Sequence, residues 1–396
     1  MKVLLLSYYA PPLGLSGVVR ITKFSFYLKR FGINPCLLTV RPIAYYHYDY
    51  DLLKDLSGIK VYRAESLDLA RLYFIFFGKK IKRRKRTSLP NLLFPDAKIS
   101  FLPFAYQTAK RIIEKEKPSL IFATSPPWTC LLLGVLLKRR FLLPLISDFR
   151  DPWPSGFIPP SKLHKRLLLP LLSYIAKNSD FITFVQRKTG EELGISGYHL
   201  PNGYDLPEED GLLADNLLYT GNLFEIEEEF LSLITNLSEE KIGITLALCG
   251  GIREDFLKKI KRFNFVRYFG FLSHKETGRL IKRSRFLLYL AKPNQEAGIK
   301  LYEYLGAKRP IIYLGPEGTE AEQIIRATDS GVIIRKPSEI KEAVDLAGKK
   351  RFQFFGVEDY SFVKRARELA EIMRSLVEKR VVDKDLPGDY NALCRL

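Results

Sequence analysis

Two α/β domains of ordinary size, each built on a mostly parallel sheet, are predicted by three features of this 396-residue chain. Apolar runs of strand length recur along it, each is followed by an amphipathic stretch of helical length, and the chain exceeds what a single core usually organises. With 46% hydrophobic and 13% aromatic residues it carries enough apolar surface to offset chain entropy, which excludes a disordered protein.

In the first half the strand-length runs are Val3 to Ser7, Pro35 to Thr39, Ile59 to Arg63, Leu120 to Thr124, Leu143 to Asp148 and Phe181 to Phe184. In the second they are Leu217 to Thr220, Ile244 to Leu248, Val266 to Phe269, Phe286 to Leu290, Pro310 to Leu314 and Gly331 to Ile334. Alternation of such strands with helical segments predicts two Rossmann-like domains. The break is expected at Leu200-Pro201-Asn202-Gly203-Tyr204-Asp205, where Pro and Asn-Gly punctuate the chain, giving domains over 1–203 and 204–360. An amphipathic helix over 361–380 closes the fold, and 381–396 reads as a loose tail.

The start, Met1 to Leu6, mimics a secretory leader, but its apolar run is short and soon meets Pro11, Pro12 and Arg20, so it is read as the first strand. The apolar stretches Cys130 to Leu137 and Phe141 to Ile146 are interrupted by Lys138-Arg139-Arg140, short of the ~18 residues a membrane helix needs. Four cysteines, Cys36, Cys130, Cys249 and Cys394, form no CxxC pair and signal neither a zinc site nor a disulfide framework. A cytoplasmic protein is expected, lying on the inner face of a membrane if one is involved.

A net charge of +19 points to a polyanionic partner: nucleic acid, anionic lipid or a phosphorylated substrate. The densest charge is the run Lys79-Lys80-Ile81-Lys82-Arg83-Arg84-Lys85-Arg86, directly after Leu72-Tyr73-Phe74-Ile75-Phe76-Phe77. It reads either as a solvated loop or as an interfacial wedge. In the second case Phe76 and Phe77 enter the bilayer boundary, and Lys82, Arg83, Arg84 and Lys85 each add about 1 kcal/mol on an anionic surface. No helix-turn-helix, zinc-finger or RNP signature supports nucleic acid.

The strongest constellation is Gly298-Ile299-Lys300-Leu301-Tyr302-Glu303-Tyr304-Leu305-Gly306-Ala307 before the strand Pro310 to Leu314. A helix starting at Gly298 offers free N–H groups and a positive dipole end to a phosphate, and Lys300 adds a mobile cation. Glu303, on nearly the same helical face, can accept both hydrogens of a ribose diol. The bland alternative is a surface helix with an i,i+3 Lys/Glu pair. Four further segments accompany it: Tyr8 to Gly17 with Arg20; Ser125-Pro126-Pro127-Trp128 with Asp148-Phe149-Arg150-Asp151-Pro152-Trp153; Leu218 to Leu223; and Val266 to Glu276. Glycines such as Gly14 and Gly17 permit close backbone approach to a ligand, and Arg20 near a helix start can pair with a phosphate. An Asp148/Arg150 ion pair is the structural alternative for the second segment. Ser273 and Glu276 form a capping box, and Cys249-Gly250-Gly251 reads as a turn.

Together these segments, spread over nearly the whole chain, resemble glycosyltransferase family 4 of the GT-B fold, in which two Rossmann-like domains face each other across a cleft. Glu303 matches the second acid of that family's E-x7-E motif, while Gln295 stands at the first with Glu296 beside it. The resemblance implies a nucleotide-sugar site at Gly14, Gly17, Gly221, Asn222, Gly270, Phe271, Gly298, Ile299, Lys300 and Glu303, with the nucleobase bracketed at Gly270 and Phe271. The family's Arg and Lys phosphate clamp is replaced by Asn222 and the acidic stretch Glu225 to Glu229, so Lys300 and Arg20, with Lys292 as a weaker substitute, are expected to hold the leaving diphosphate. Asp148 or Asp151 would orient the acceptor beside Trp128, Arg150 and Trp153. The implied activity is transfer from a UDP- or GDP-sugar to a hydroxyl of a lipid-linked or cell-surface-glycan precursor, retaining and without metal or cofactor. Asp49-Tyr50-Asp51 has the DxD form of a metal-binding motif but ends no apolar strand and reads as coincidence. His47, His164, His199 and His274 lack metal spacing, and none is assigned as a base. The rival readings are a nucleotide-sugar 2-epimerase and a non-catalytic basic binding protein.

Overall fold

The structure, a computed structural model, describes residues 1–14, 16–45, 47–78, 93–150, 162–208, 213–224, 226–240, 243–292 and 297–385. Each strand-length run of the sequence coincides with a strand. The first half comprises β1 (Lys2–Leu6), α1 (Ser16–Leu28), β2 (Asn34–Val40), β3 (Lys60–Ala64), α2 (Leu69–Phe77) and α3 (Phe101–Glu116). It continues with β4 (Leu120–Ser125), α4 (Trp128–Phe141), β5 (Leu145–Phe149), α5 (Lys162–Lys177), β6 (Phe181–Phe184), α6 (Arg187–Leu193) and β7 (Tyr198–His199). The second half comprises β8 (Ala214–Thr220), α7 (Glu227–Glu239), β9 (Thr245–Cys249), α8 (Glu254–Ile260), β10 (Val266–Tyr268), α9 (His274–Arg283) and β11 (Ser284–Leu290). It ends with α10 (Ile299–Ala307), β12 (Ile311–Leu314), α11 (Glu320–Ala327), β13 (Gly331–Ile334), α12 (Ile340–Lys349) and α13 (Phe362–Asp385).

The strands form two parallel sheets in the orders β3-β2-β1-β4-β5-β6-β7 and β10-β9-β8-β11-β12-β13. Such sheets are covered on both faces, which is why their strands read as continuous apolar runs. In the first sheet Leu4, Leu6, Leu38, Ile121 and Ala123 point to the face packed by α3, α4 and α5. Their neighbours Val3, Leu5, Leu37, Leu120 and Phe122 point to the other, under α1 and α13. The second sheet repeats the design, with Leu217, Leu246 and Leu288 on the side of α7, α8 and α12, and Leu218, Ala247 and Leu287 facing α10 and α11.

In each sheet the strand order reverses beside the first strand, between β1 and β4 and between β8 and β11. Loops leaving neighbouring strands there diverge to opposite faces and open a crevice at the C-terminal edge, where such sheets take their ligands. The chain passes from one sheet to the other twice, and the passages lie side by side. Tyr204 N donates to Tyr360 O at 2.9 Å and Phe362 N to Tyr204 O at 2.9 Å. Gly203 is required at that contact, since a Cβ there would lie 2.7 Å from Phe362 N. The second passage delivers α13 back onto the first domain. Phe362, Ala366, Leu369, Ala370 and Met373 recur at helical spacing on one face and are buried with Val3, Leu5 and Phe24. α13 runs to Asp385, beyond the helix end expected near 380 and into the segment read as tail. Among the described residues no helix is long and apolar enough to cross a membrane.

Candidate functional site

At the C-terminal edge of the second sheet three glycines follow three adjacent strands. Gly221 N donates to Cys249 O at 2.8 Å and Gly250 N to Gly270 O at 2.8 Å, which extends the ladder past the strand ends. Gly221 and Gly250 have φ of 126° and 128°, and a Cβ on Gly250 would sit 2.2 Å from Gly221 O, so no other residue can bring these turns so close. Asn222 is spent locally: its Oδ1 accepts from Gly251 N at 3.2 Å.

Against these turns stands α10, with Gly298 at its N-cap position. It is pinned to β8 through Tyr304, whose hydroxyl accepts from Thr220 N at 2.9 Å. This anchoring turns Lys300 and Glu303 toward the strand ends. The Lys300 Nζ lies 4.3 Å from the Tyr219 ring centre and 4.9 Å from that of Tyr289. A Cβ built on Gly221 would lie 3.9 Å from the same nitrogen. Desolvation pulls the Lys300 ammonium down to about 7, against the opposing charge of Glu303.

Glu303 is 9% exposed and its Oε1 lies 2.9 Å from His274 Nε2. His274 opens α9, whose start is fixed by the capping box of Ser273 and Glu276 read from the sequence. Burial alone would lower its imidazole, but the hydrogen bond and charge of Glu303 raise it above its ordinary value. His274 is a site residue that reasoning from sequence missed. The capping box placed it at a helix start, yet nothing in the spacing revealed that α9 and α10 lie together.

The first domain brings its own loops to this face. The Pro- and Gly-rich segment after β1 is stitched to the loop after β2, with Gly14 N donating to His47 O at 3.1 Å and Asp49 N to Pro12 O at 2.8 Å. The His47 ring is 5.4 Å from that of Phe271 in the second domain. Gly14 thus borders the cleft opposite Phe271. Gly17 lies under Arg150, whose Nη1 donates to Gly17 O at 2.6 Å and whose Nε donates to Ser125 O at 2.7 Å. Arg150 therefore joins the loops leaving β1, β4 and β5. Trp128 opens α4 beside them, its ring 5.7 Å from Phe149.

Arg20 and Asp148 depart from the roles expected of them. Arg20 is 2% exposed and directed into the first domain. Its Nε and Nη2 meet the two Asp148 oxygens at 3.1 and 2.8 Å. Its remaining hydrogens go to Pro201 O, Asn202 Oδ1 and Leu200 O. Asp148 also accepts from Thr124 and Thr183, both at 2.7 Å. Every guanidinium hydrogen and both carboxylate oxygens are thereby engaged inside the protein, which leaves neither group for a phosphate or an acceptor. The Asp148/Arg150 ion pair considered from sequence is not formed: Asp148 pairs with Arg20, and Arg150 donates to the carbonyls of Ser125 and Gly17.

On the other side of α10 a cavity of about 740 Å³ opens between the domains. Arg187, His199, Tyr302, Thr319, Glu320 and Tyr360 are among its walls. Glu320 accepts from Ala297 N at 2.9 Å, tying the cavity to the segment that starts α10. Burial and the charge of Arg187 push the His199 imidazole down to about 4, so it is neutral near pH 7. Of the remaining sequence candidates, Phe76 and Phe77 are 74% and 63% exposed on α2. Asp151, Trp153, Lys82, Arg83, Arg84, Lys85, Gln295 and Glu296 lie outside the described residues.

No family model and no curated protein matches the chain. Solved structures do. A sucrose-phosphate synthase from Thermosynechococcus elongatus superposes with a TM-score of 0.64 at 13% identity, over 96% of this chain and 99% of its own. The Anabaena protein HepE, in complex with UDP and glucose, gives 0.59 at 13% identity over 97% and 99%. A UDP-GlcNAc 2-epimerase from Methanocaldococcus jannaschii gives 0.55 at 12% identity over 95% and 100%. Likeness at such identity establishes the fold: two parallel-sheet α/β domains in the GT-B arrangement.

The reassignment of Asp148 carries a stability prediction. Its carboxyl is held below the ordinary range: burial alone would raise it, but Arg20 and the hydroxyls of Thr124 and Thr183 outweigh that. Asp148→Ala should cost about 3–5 kcal/mol in urea melts, because it strands the buried Arg20 charge. A depressed acid contributes stability that is present above its unfolded pKa and lost as pH falls through the folded one. The gap between wild type and Asp148→Asn should accordingly persist down to about pH 5 and narrow below about pH 4.

Proposed function

We propose that the protein is a nucleotide-sugar-dependent glycosyltransferase whose donor lies between the glycine turns after β8 to β10 and the start of α10. The observation that carries this reading is the placement of Lys300 and Glu303 on one face of a helix that begins at a glycine beside a sheet's strand-order reversal. The first-turn N–H groups that follow Gly298, which have no helical acceptor, suit a diphosphate, and the Glu303 carboxylate suits a ribose diol. UDP and glucose bound to HepE, a protein of the same fold, support a UDP-sugar donor. The resemblance to family 4 supports retention without a metal. In that chemistry the acceptor oxygen bonds to the anomeric carbon as the bond from that carbon to the diphosphate breaks, and the hydroxyl proton passes to the leaving phosphate. The chain's main task is then to stabilise charge building on the diphosphate, with Lys300 and the helix start closest to it. The acceptor is proposed to be a hydroxyl of a lipid-linked or cell-surface-glycan precursor, bound on the side of Trp128 and the loop after β5, with Asp151 and Trp153 assigned there from sequence.

A panel of labelled UDP- and GDP-sugars offered with lipid extract tests the reading: label should move into the lipid phase. Conversion of the free donor into an epimer would favour the 2-epimerase seen among the structural relatives. A donor unchanged under all conditions, with no binding, would end both readings.

Lys300 yields a second prediction. Since its ammonium titrates at about 7 in the free protein, an adjacent diphosphate should raise it and draw in a proton. Calorimetry of UDP binding at about pH 8, in buffers of different ionisation enthalpy, should show proton uptake that fades toward about pH 6. Lys300→Met should abolish the uptake and weaken binding about 10- to 100-fold, as loss of a charged hydrogen bond does.

Membrane attachment is the third element of the proposal. On α2, Tyr73, Ile75, Phe76 and Phe77 are 40%, 56%, 74% and 63% exposed. In sequence the seven cations of Lys79 to Arg86 follow directly. Exposed aromatics beside dense positive charge suit an anionic bilayer surface. The protein should sediment with vesicles containing anionic lipid, less so as salt shortens the screening length below about 8–10 Å. Replacing Lys82, Arg83, Arg84 and Lys85 together by Ser should release it, and equal sedimentation of variant and wild type at every salt concentration would refute the attachment.

A further inference from the structure

The two domains touch beside Glu303 through an aspartate that reads, in sequence, as half of an idle DxD. Asp49 is 5% exposed and both of its oxygens are engaged. Oδ2 accepts from His274 N at 2.7 Å, a bond between residues 225 positions apart. Oδ1 accepts from Asp51 N at 3.1 Å. On the first-domain side, Asp49 is held by its own N–H on Pro12 O and by the bridge of Leu13 with Tyr48. On the second-domain side it meets the first residue of α9, where backbone N–H groups lack helical partners and the dipole end is positive. Asp51 adds a hydrogen bond with Ser273, the N-cap residue of the same helix. A carboxylate at that end is therefore favoured for reasons that involve no metal.

The consequence lies one residue further along. The main chain of His274 is fixed by Asp49 while its ring reaches Glu303 Oε1 at 2.9 Å. A continuous set of contacts thus runs from Pro12, in the loop after β1, through Asp49 and His274 to Glu303. Each link joins a different element, and the Asp49 link crosses from one domain to the other. If the domains separate, the start of α9 loses its partner and His274 is no longer set against Glu303. If Glu303 takes a ligand that orders its carboxylate, His274 and the Asp49 contact are reinforced. Such coupling is reciprocal.

We infer that Asp49 is a positioning residue for the nucleotide site, clasping α9 across the cleft so that His274 orients Glu303 and nucleotide binding favours domain closure. The inference rests on the nucleotide-sugar reading of Glu303. It is tested on the full chain with UDP as the probe. Asp49→Ala should raise the UDP dissociation constant about tenfold, comparable to loss of a good helix cap, although Asp49 belongs to the domain opposite Glu303. Asp49→Asn, which keeps one acceptor oxygen, should recover most of that loss. Once His274→Ala has cut the link to Glu303, adding Asp49→Ala should weaken UDP less than twofold further. Additive losses in the double variant, or a dissociation constant unchanged in Asp49→Ala, would overturn the inference. A second readout needs no nucleotide: hydrogen exchange of the His274 amide should accelerate in free Asp49→Ala protein and much less in Asp49→Asn, with urea midpoints confirming that the chain is folded. Failure of the wild type to bind UDP would count against the nucleotide reading, while the clasp is still judged on that amide, and exchange at the wild-type rate would refute it.

Discussion

The buried pair of Arg20 and Asp148 is the interaction on which the geometry of the first domain depends. Taking two charges out of water costs several kcal/mol each, and that cost is offset only where every remaining hydrogen and lone pair finds a partner. Here they do, and the partners are not local. Asp148 ends β5 and gathers Thr124 from β4 and Thr183 from β6. Arg20 rises from α1 and takes the carbonyls of Leu200 and Pro201, at the point where the chain leaves the first sheet. A single network therefore fixes three strand ends, the helix after the Gly-rich loop and the linker to the second domain. The orientation of the cleft is set there, one layer beneath the surface that would meet a ligand.

That network also shows why some residues were legible in the sequence and others were not. Strands were found because a parallel sheet covered on both faces demands continuous apolar runs. Among the described strands only β7 escaped, since two residues carry no period. The start of α10 was legible because its glycine, lysine and glutamate lie within six residues of one another, so their common face follows from helical spacing alone. The pointing of Arg20 was not. An arginine near a helix start beside a Gly-rich loop looks the same whether it faces outward or, as here, packs over Phe24 at 4.6 Å and turns inward. Asp49 and His274 were out of reach for another reason: their partners are set by how two separately legible domains dock, and no local pattern encodes that.

α10 itself separates two chemical environments. One side presents Lys300 and Glu303 to the glycine turns, where dry aromatic surroundings make the lysine's charge conditional. The other side presents Tyr302 to a cavity whose walls include cations and carboxylates together. Glu320, bonded to Ala297 N, holds the segment between the two. A shift at the start of this helix is therefore felt on both sides at once, in the glycine turns and in the cavity between the domains.

The distribution of charge follows the same division. The chain carries +19, yet among the described residues the face where α10 meets the glycine turns holds a conditional lysine and a histidine already committed to Glu303, and the acidic Glu227, Glu228 and Glu229 open α7 just after the first turn. A lysine so desolvated gains its charge when an anion comes beside it, which a permanently charged group does not. In sequence the densest positive charge is the Lys79 to Arg86 run, and among the described elements α4 ends on Lys138, Arg139 and Arg140. Under the proposed function the surface charges govern where the protein resides, through a field screened within about 8–10 Å, and the buried lysine governs what it does there.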